Sequence, residues 1–277
     1  MSQNSDLDTA IFLARGASAI LMGHYKPNIA TERKADNSIV TAADKEANRY
    51  IVSQLHRRYP LDSIVSEEDG GRHIIGSSDS TWFVDPCDGT SRFTQHNDEF
   101  AVHIGKTILG QPTLGVVHKP VGGKTYYGSA EKGAFVIYGK DTYPISVIGK
   151  KQNVMSCHSK LTLSIKGQEL LERLKIEDVE ITGSEGLRIM RFATGQASLY
   201  LGNITRRAST WDLCAPHAIA IAAGGIVEYV DGTPIIYSNT NKLNGMYCMA
   251  TNLVDLTKIQ TEIERVNTLY PQETWVK

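Results

Sequence analysis

The sequence predicts a chain of mixed class, α+β over residues 1–150 and α/β over residues 151–277. Three observations predict it. Helical periodicity dominates up to Tyr59, short apolar runs broken by Gly, Pro and Asp fill residues 62 to 150, and from residue 151 helical patterns alternate with single apolar runs. Helices followed by consecutive strands point to helices covering a largely antiparallel sheet, whereas alternation points to strands buried on both faces.

Leu7, Ile11, Ala14, Ala17, Leu21 and Tyr25 recur at helical spacing, so the chain is expected to open with an amphipathic helix that Lys26-Pro27 ends. After a polar stretch from Thr31 to Ser38, a second helix runs from about Thr41 toward Tyr59-Pro60, with Thr41 and Asp44 placed as an N-cap and its third-position partner. Strands follow at Ser63–Ser66, Trp82–Val84, Ala101–Ile104, Leu114–Val117, Lys124–Tyr127 and Ala134–Ile137. In the second half the pattern gives a strand near Asn153 to Ser156, a helix around Gln168 to Leu174, a strand near Glu180 to Thr182 and a helix from Glu185 to Thr194. A loop after Tyr200 carries Arg206-Arg207, and Trp211-Asp212 opens a helix continuing to Ala223, with Pro216 in its first turns, where a missing N–H does least harm. No repeat, low-complexity segment or linker separates the halves, so they are expected to share one interface.

The 277 residues, 41% of them hydrophobic, are ample for a real core. With 29 Lys and Arg against 30 Asp and Glu, and no long block of one sign, neither a nucleic-acid polymer nor a membrane surface is an expected partner. Cys87, Cys157, Cys214 and Cys248 lie far apart without zinc or CxxC spacing, as reduced thiols of a cytoplasmic protein do. The polar N-terminus lacks the regions of a signal peptide, and the small-apolar stretch Ala218 to Val227 falls short of the roughly 20 helical residues that span a bilayer. A cytoplasmic location is the expectation.

Acidic clusters stand at the ends of predicted elements: Glu67-Glu68-Asp69 after one strand, Asp85 and Asp88 after another, and Asp212 at a helix start. Singly each has an ordinary explanation, as a solvated turn, a turn cap or a helix cap. As a set of hard oxygen donors without His or Cys, they favour Mg²⁺ or Mn²⁺ over zinc or copper. Gly89 and Thr90 supply a complementary anion site, since Gly lets backbone approach closely and successive N–H groups at a helix start attract phosphate. Two residues separate Asp85 from Asp88, a spacing that argues against the aspartyl nucleophile of Asp-x-Asp-Gly-Thr phosphatases.

Asp85-Pro-Cys-Asp88-Gly-Thr90, preceded by Ser66-Glu67-Glu68 and followed by Trp211-Asp212 with Ala222-Ala-Gly-Gly225 on the same helix, resembles the inositol monophosphatase superfamily of magnesium-dependent, lithium-sensitive phosphatases. The resemblance covers nearly the whole chain and implies the layered αβαβα sandwich of the sugar-phosphatase (inositol monophosphatase) type. Within it, Lys34 to Asp44, Ser66 to Asp69, Asn97-Asp-Glu-Phe100 and Gly110 to Val117 look most like the 3'(2'),5'-bisphosphate nucleotidases. Those enzymes remove a phosphate from adenosine 3',5'-bisphosphate. Two departures stand out: Ser91-Arg92 replaces the frequent Lys-Glu after Asp-Gly-Thr, and Cys87 fills a position usually held by Leu or Ile. The second is expected to be harmless, because the family uses that residue's carbonyl.

Carried over to this sequence, the resemblance implies two Mg²⁺ ions. Glu67, Asp85 and the Cys87 carbonyl would hold one, Asp85, Asp88 and Asp212 the other, and a third, weaker ion can sit near Glu67 in the family. It further implies two-metal hydrolysis by in-line attack, with Asp44, Thr90 and Glu67 as catalytic residues and Gly89, Thr90 and Ser91 on the phosphate. Thr90 would act as a relay, its own pKa being too high for a free base. The loop from Leu199 to Thr210 lacks the acid that inositol monophosphatases use on ring hydroxyls, and Arg206 and Arg207 could instead meet a second phosphate or form a solvated pair. Tyr200 is either a base-stacking or a core residue. The expected substrate is a small phosphorylated metabolite, foremost adenosine 3',5'-bisphosphate. Alternatives are inositol-1-phosphate or histidinol phosphate, or, from a different class, a catalytically silent metabolite-binding relative. Homodimers are common in the superfamily.

Overall fold

The computed structural model describes residues 5–34, 38–69, 73–148, 153–181, 183–205, 208–238, 242–243 and 245–275. The first half comprises α1 (Asp6–His24), β1 (Thr31–Arg33), β2 (Ile39–Thr41), α2 (Ala42–Arg58), β3 (Ser63–Ser66), β4 (Ser80–Asp88) and the short α3 (Thr90–Thr94). It continues through β5 (Ala101–Ile108), β6 (Gln111–Lys119), β7 (Lys124–Ser129), β8 (Gly133–Tyr138) and β9 (Asp141–Pro144). Then come β10 (Val154–Cys157), α4 (Ser159–Leu163), α5 (Ile165–Arg173), β11 (Asp178–Glu180), α6 (Glu185–Ala193) and β12 (Leu199–Gly202). The chain closes with α7 (Thr210–Ala222), β13 (Ile226–Tyr229), β14 (Tyr247–Ala250) and α8 (Leu256–Leu269). Among the described residues no helix is long and apolar enough to cross a membrane.

Strands β3 to β9 form a seven-stranded sheet in sequence order, antiparallel except for the parallel β3–β4 pair. A five-stranded sheet runs β11-β10-β12-β14-β13, parallel around β10 and antiparallel at β14. Strand alternation sorts the side chains into layers. On β4, Trp82 and Val84 join a core with α1 and α2, while Phe83 joins a second core with α6 and α7. On β12, Tyr200 faces that second core, and Leu199 and Leu201 face a third with α5 and α8. The layers are therefore α1/α2, seven-stranded sheet, α6/α7, five-stranded sheet, and α4/α5/α8: the αβαβα sandwich.

The predicted strands of the first half are all present. Strands β1, β2, β9, β12, β13 and β14 and helices α4 and α8 were not anticipated: the strands and α4 are short segments such as Leu199-Tyr-Leu-Gly202, with too few residues to establish a period, whereas α8 carries its helical spacing in Ile259, Ile263 and Val266, which the reading above does not use. The helix at Trp211 ends at Ala222, before the Gly pair, where Gly224 takes the left-handed conformation (φ 91°) of a helix stop.

Helix α7 lies in a trough of glycines. Gly105, Gly115 and Gly128 are paired in register across β5, β6 and β7. A Cβ on Gly115 would stand 2.1 Å from the Ala215 carbonyl oxygen, one on Gly105 2.7 Å from the Ala215 nitrogen, and one on Gly128 3.0 Å from the Ala222 Cβ. Pro216 is the seventh residue of α7, past the first turn. It withholds the N–H that would otherwise bond to the Asp212 carbonyl.

Gly115→Ala therefore forces backbone against backbone, and the expected outcome is a loss of about 3 kcal/mol or more, or failure to fold. Gly23→Ala, in α1 with open space around its Cβ, is expected to be neutral or to stabilise by about 0.5 kcal/mol. Thermal or urea melts of both variants check the pair.

Candidate active site

The end of β4 is built to turn two carboxylates one way. In a regular strand Asp85 and Asp88, three residues apart, would point to opposite faces. The pairing with β5 runs Asp85↔His103 and then Asp88↔Ala101, three residues against two, so a β-bulge brings both acids to one side. Pro86 sits within the bulge, where a missing N–H is tolerated. Asp212 arrives from the first turn of α7 as the third-position partner of a capping box, accepting from Ser209 N at 2.5 Å; Ser209 is the N-cap. One oxygen from each of Asp85, Asp88 and Asp212 lies within 4.8 Å of the others.

Glu67 stands beside this triad, in the 3-10 turn that follows β3, near enough for its charge to help raise the Asp85 pKa. Its Oε1 also accepts from Lys34 Nζ at 2.9 Å, and the same ammonium donates to Glu68 Oε1 at 2.7 Å. Burial opposes the charge on Lys34, but the two glutamates outweigh it and raise its pKa. Burial, Glu67 and the paired Lys34 together leave Glu68 at about 7.

Charge is divided unevenly among the triad. Asp85 is pushed well above the carboxylate range by burial and then by Glu67, Asp88 and Asp212, and Asp212 by burial, Asp88 and Glu67. Asp88 goes the other way. Burial opposes its ionisation, yet the His103 ring, the Ser184 hydroxyl and the Gly186 N–H hold it at about 2. Its Oδ2 accepts from Ser184 Oγ at 2.5 Å and Gly186 N at 2.7 Å, and its Oδ1 from Glu185 N at 3.2 Å. These groups are the N-terminus of α6, so Asp88 caps that helix from another layer. His103 Nε2 stands 3.1 Å from Asp88 Oδ2, in space that exists because residue 186 is Gly: a Cβ there would lie 2.0 Å from Nε2. A buried, all-oxygen cluster in which two members resist ionisation for want of positive charge fits a hard divalent cation.

Asp44 makes contacts on two sides. Its Oδ2 accepts from Thr41 N at 2.7 Å and from Thr41 Oγ1 at 2.5 Å, completing the capping box of α2. Its Oδ1 faces Thr90 Oγ1 at 3.1 Å, and Thr90 Oγ1 is also 3.1 Å from the Cys87 carbonyl. Gly89 adopts φ 89° and opens α3, with Thr90 and Ser91 as its first residues, whose N–H groups have no helical acceptor. Cys87 points its thiol into the α1/α2 core, where burial pushes its pKa well up, and its carbonyl toward Thr90.

The Asp88–Asp212 edge opens into a cavity of about 210 Å³ that Glu185, Arg188, His158 and Thr205 also line. Glu185 is the main residue sequence reasoning missed. Its Oε1 accepts from the Tyr200 and Tyr247 hydroxyls, each at 2.5 Å, and its Oε2 pairs with Arg188. Burial opposes the Glu185 charge, but Arg188 and the two tyrosines outweigh it and hold the pKa below the usual range. His158 is held neutral near 4 by burial and by Arg188. Tyr200 is a fully buried core residue that serves the cavity through Glu185. Ser184-Glu185 reads in sequence only as a helix start, and His103 as a lone polar residue in an apolar strand. Arg206 and Arg207 lie outside the described residues.

The model of the inositol monophosphatase family matches residues 3–262. The chain is 35% identical over 246 residues to the 3'(2'),5'-bisphosphate nucleotidase CysQ of Escherichia coli K12, covering 84% of this chain and 94% of that one. It is 30% identical to the fructose-1,6-bisphosphatase/inositol-1-monophosphatase of Thermotoga maritima, covering 82% of this chain and 85% of that protein. Among solved structures, a Thermotoga maritima IMPase superposes with a TM-score of 0.75 at 25% identity, covering 95% of this chain and 98% of that one.

The electrostatics set the pH response of the metal-free protein. Asp85 and Asp212 have folded-state pKa values above their unfolded ones. The stability they contribute is thus fully present at low pH and lost as pH rises through the raised values. His118, His158 and His217, held neutral in the fold by burial, lose stability in the opposite direction as pH falls below about 6.5, so the acids are read as a difference: metal-free wild-type stability relative to Asp85→Asn is expected to rise as pH falls from about 8 toward 5, and saturating Mg²⁺ to flatten that slope. Asp85→Asn is expected to raise metal-free stability by about 1–2 kcal/mol while removing the Mg²⁺-induced rise in melting temperature. Melts with EDTA and with Mg²⁺ across pH read both effects.

Proposed function

The chain belongs to the inositol monophosphatase family, and from that premise we propose that it is a Mg²⁺-dependent phosphomonoester hydrolase whose substrate is a nucleoside 3',5'-bisphosphate, foremost adenosine 3',5'-bisphosphate. The observation that carries the reading is the convergence of Asp85, Asp88 and Asp212 at the mouth of a cavity walled by Arg188. The 35% identity to a bisphosphate nucleotidase supports the substrate class.

Glu67, Asp85, the Cys87 carbonyl, Asp88 and Asp212 would hold the Mg²⁺, and Glu67 would leave Lys34 to do so. When bound, Mg²⁺ supplies Lewis-acid polarisation of the phosphoryl group and acidifies water for attack. Thr90 Oγ1 has two acceptors, Asp44 Oδ1 and the Cys87 carbonyl, for one proton, so its O–H donates to one of them and its lone pairs are left to accept from a reacting water. That makes Thr90 the relay and Asp44 the group that orients it and takes up the proton. The N–H groups of Gly89, Thr90 and Ser91 orient phosphoryl oxygens. The leaving group then projects into the cavity, where Arg188 offers a guanidinium and neutral His158 an imidazole.

A second reading rests on Glu185. An ionised carboxylate lining the cavity accepts hydrogen bonds from ring hydroxyls, which suits inositol-1-phosphate and is the role for which the loop before Trp211 carries no acid.

Phosphate release with Mg²⁺ from adenosine 3',5'-bisphosphate, inositol-1-phosphate, histidinol phosphate and fructose-1,6-bisphosphate, compared as kcat/KM, decides between them. The bisphosphate nucleotide is expected to lead; preference for inositol-1-phosphate would transfer the assignment to the second reading, and no Mg²⁺-dependent release would end both. Thr90→Val is expected to lower kcat by about 10²–10³-fold at nearly unchanged KM and melting temperature, with Thr90→Ser retaining most of the activity. Steady-state kinetics of the two variants test the relay.

A further inference from the structure

A cavity of about 830 Å³ lies away from the carboxylates, between α5, α8, the end of β13 and the segment at Trp275. Its volume suits a small organic ligand. Much of the wall is aliphatic or aromatic, with Tyr229, Ile236, Ile263 and Trp275 among its residues. Among the described residues one cation lines it. Lys166, in the first turn of α5, is only 6% exposed, and its Nζ donates to Asn267 Oδ1 at 2.8 Å and stands 5.6 Å from the Trp275 ring centroid. Trp275 Nε1 donates to the same Asn267 oxygen at 3.1 Å. Among the described residues no carboxylate pairs with Lys166 within 4.0 Å, and Asp231 and Glu273 on the cavity wall are solvent-exposed.

A buried ammonium has three donors, and here one neutral acceptor is shared with an indole. Burial without a counter-charge is unfavourable, and an incoming anion would relieve it. The apolar wall beside it suits a flat hydrophobic body, and Trp275 and Tyr229 can stack on one. Ile204 and Thr205 wall this cavity and also the one that opens on Asp88 and Asp212. A molecule seated against Lys166 would therefore rest on the back of the loop that shapes the leaving-group site.

We propose that this cavity is an effector site for an amphipathic aromatic anion, a planar ring system bearing one carboxylate, sulfonate or phosphate, anchored by Lys166 and Trp275 and acting on substrate binding through Ile204 and Thr205. The site is separate from the proposed nucleotidase chemistry, and its binding readout does not depend on turnover.

The probe is 8-anilinonaphthalene-1-sulfonate, titrated by fluorescence into the full-length chain, with N-phenyl-1-naphthylamine as the same ring system without the anion. One sulfonate per chain is expected to bind, and Lys166→Met, which removes the charge at similar length, is expected to weaken it about tenfold or more. The uncharged amine is expected to bind wild type and Lys166→Met equally. Equal sulfonate affinity in wild type and Lys166→Met overturns the site. So does amine binding to wild type as tight as the sulfonate's, a comparison that holds even if the variant fails to fold. At saturation the sulfonate is expected to change KM for phosphomonoester hydrolysis in wild type and not in Lys166→Met, and an unchanged KM overturns the effector role.

Discussion

How closely α7 can approach the seven-stranded sheet is the constraint on which the carboxylate site depends. Asp85 and Asp88 belong to the sheet and Asp212 to the helix, so their oxygens share a 4.8 Å sphere only if helix and sheet backbones nearly touch. Gly105, Gly115 and Gly128 permit this by leaving a trough one side chain deep across three strands. Helices usually pack on sheets through side chains, at about the 10 Å spacing of layered cores; here the Ala215 backbone fills the space where a Cβ would be. The apolar residues of α7, among them Leu213, Cys214 and Ile219, then complete the core between the two sheets. Placement of one acid is thus a consequence of packing in the most buried layer of the molecule.

Convergence of buried anions opposes that packing, and the structure distributes the conflict. Asp88 stays ionised because the N-terminus of α6 and His103 surround it with donors and positive potential. Asp85 and Asp212 accept from the Cys87 and Ser209 N–H groups, too little to offset burial and their neighbours' charge, and have raised pKa values. Lys34 stands against Glu67 and Glu68 at the outer edge, a protein cation where the chain offers two carboxylates. The same bonds that settle Asp88 tie α6, and with it Glu185 and Arg188, to the end of β4. Charge state at the carboxylates and shape of the adjoining cavity are therefore mechanically linked through Asp88.

The sequence exposed the acidic end of β4 because its residues are constrained at several levels at once: an apolar run, a Pro, two acids and a Gly-Thr turn. It exposed the antiparallel sheet because runs such as Ala101-Val-His-Ile104 and Leu114-Gly-Val-Val117 are separated by turn residues. The glycine trough was not legible, since Gly105, Gly115 and Gly128 lie in different strands and become a row only through their register. The same holds for Glu185, Tyr200 and Tyr247, which are distant in sequence and meet at one carboxylate oxygen. Local rules report caps, turns and periods; they do not report which side chains the crossover connections bring together.

That gap matters most for substrate choice. Arg188 alone suggests a phosphate anchor, but its guanidinium already pairs with Glu185 and donates to the Gly183 carbonyl. With His158 neutral, the described wall beyond the carboxylates presents a compensated pair instead of a bare cation. A second phosphate would have to draw Arg188 from Glu185 or find its charge elsewhere, and Arg206-Arg207 supply it in the sequence just after Thr205. A polyol needs no such exchange, since Glu185 can accept from hydroxyls while remaining paired. On the proposed function, two substrate classes would be separated by which partner Arg188 keeps, and that choice would be set behind the carboxylates, by two tyrosine hydroxyls that hold Glu185 in place.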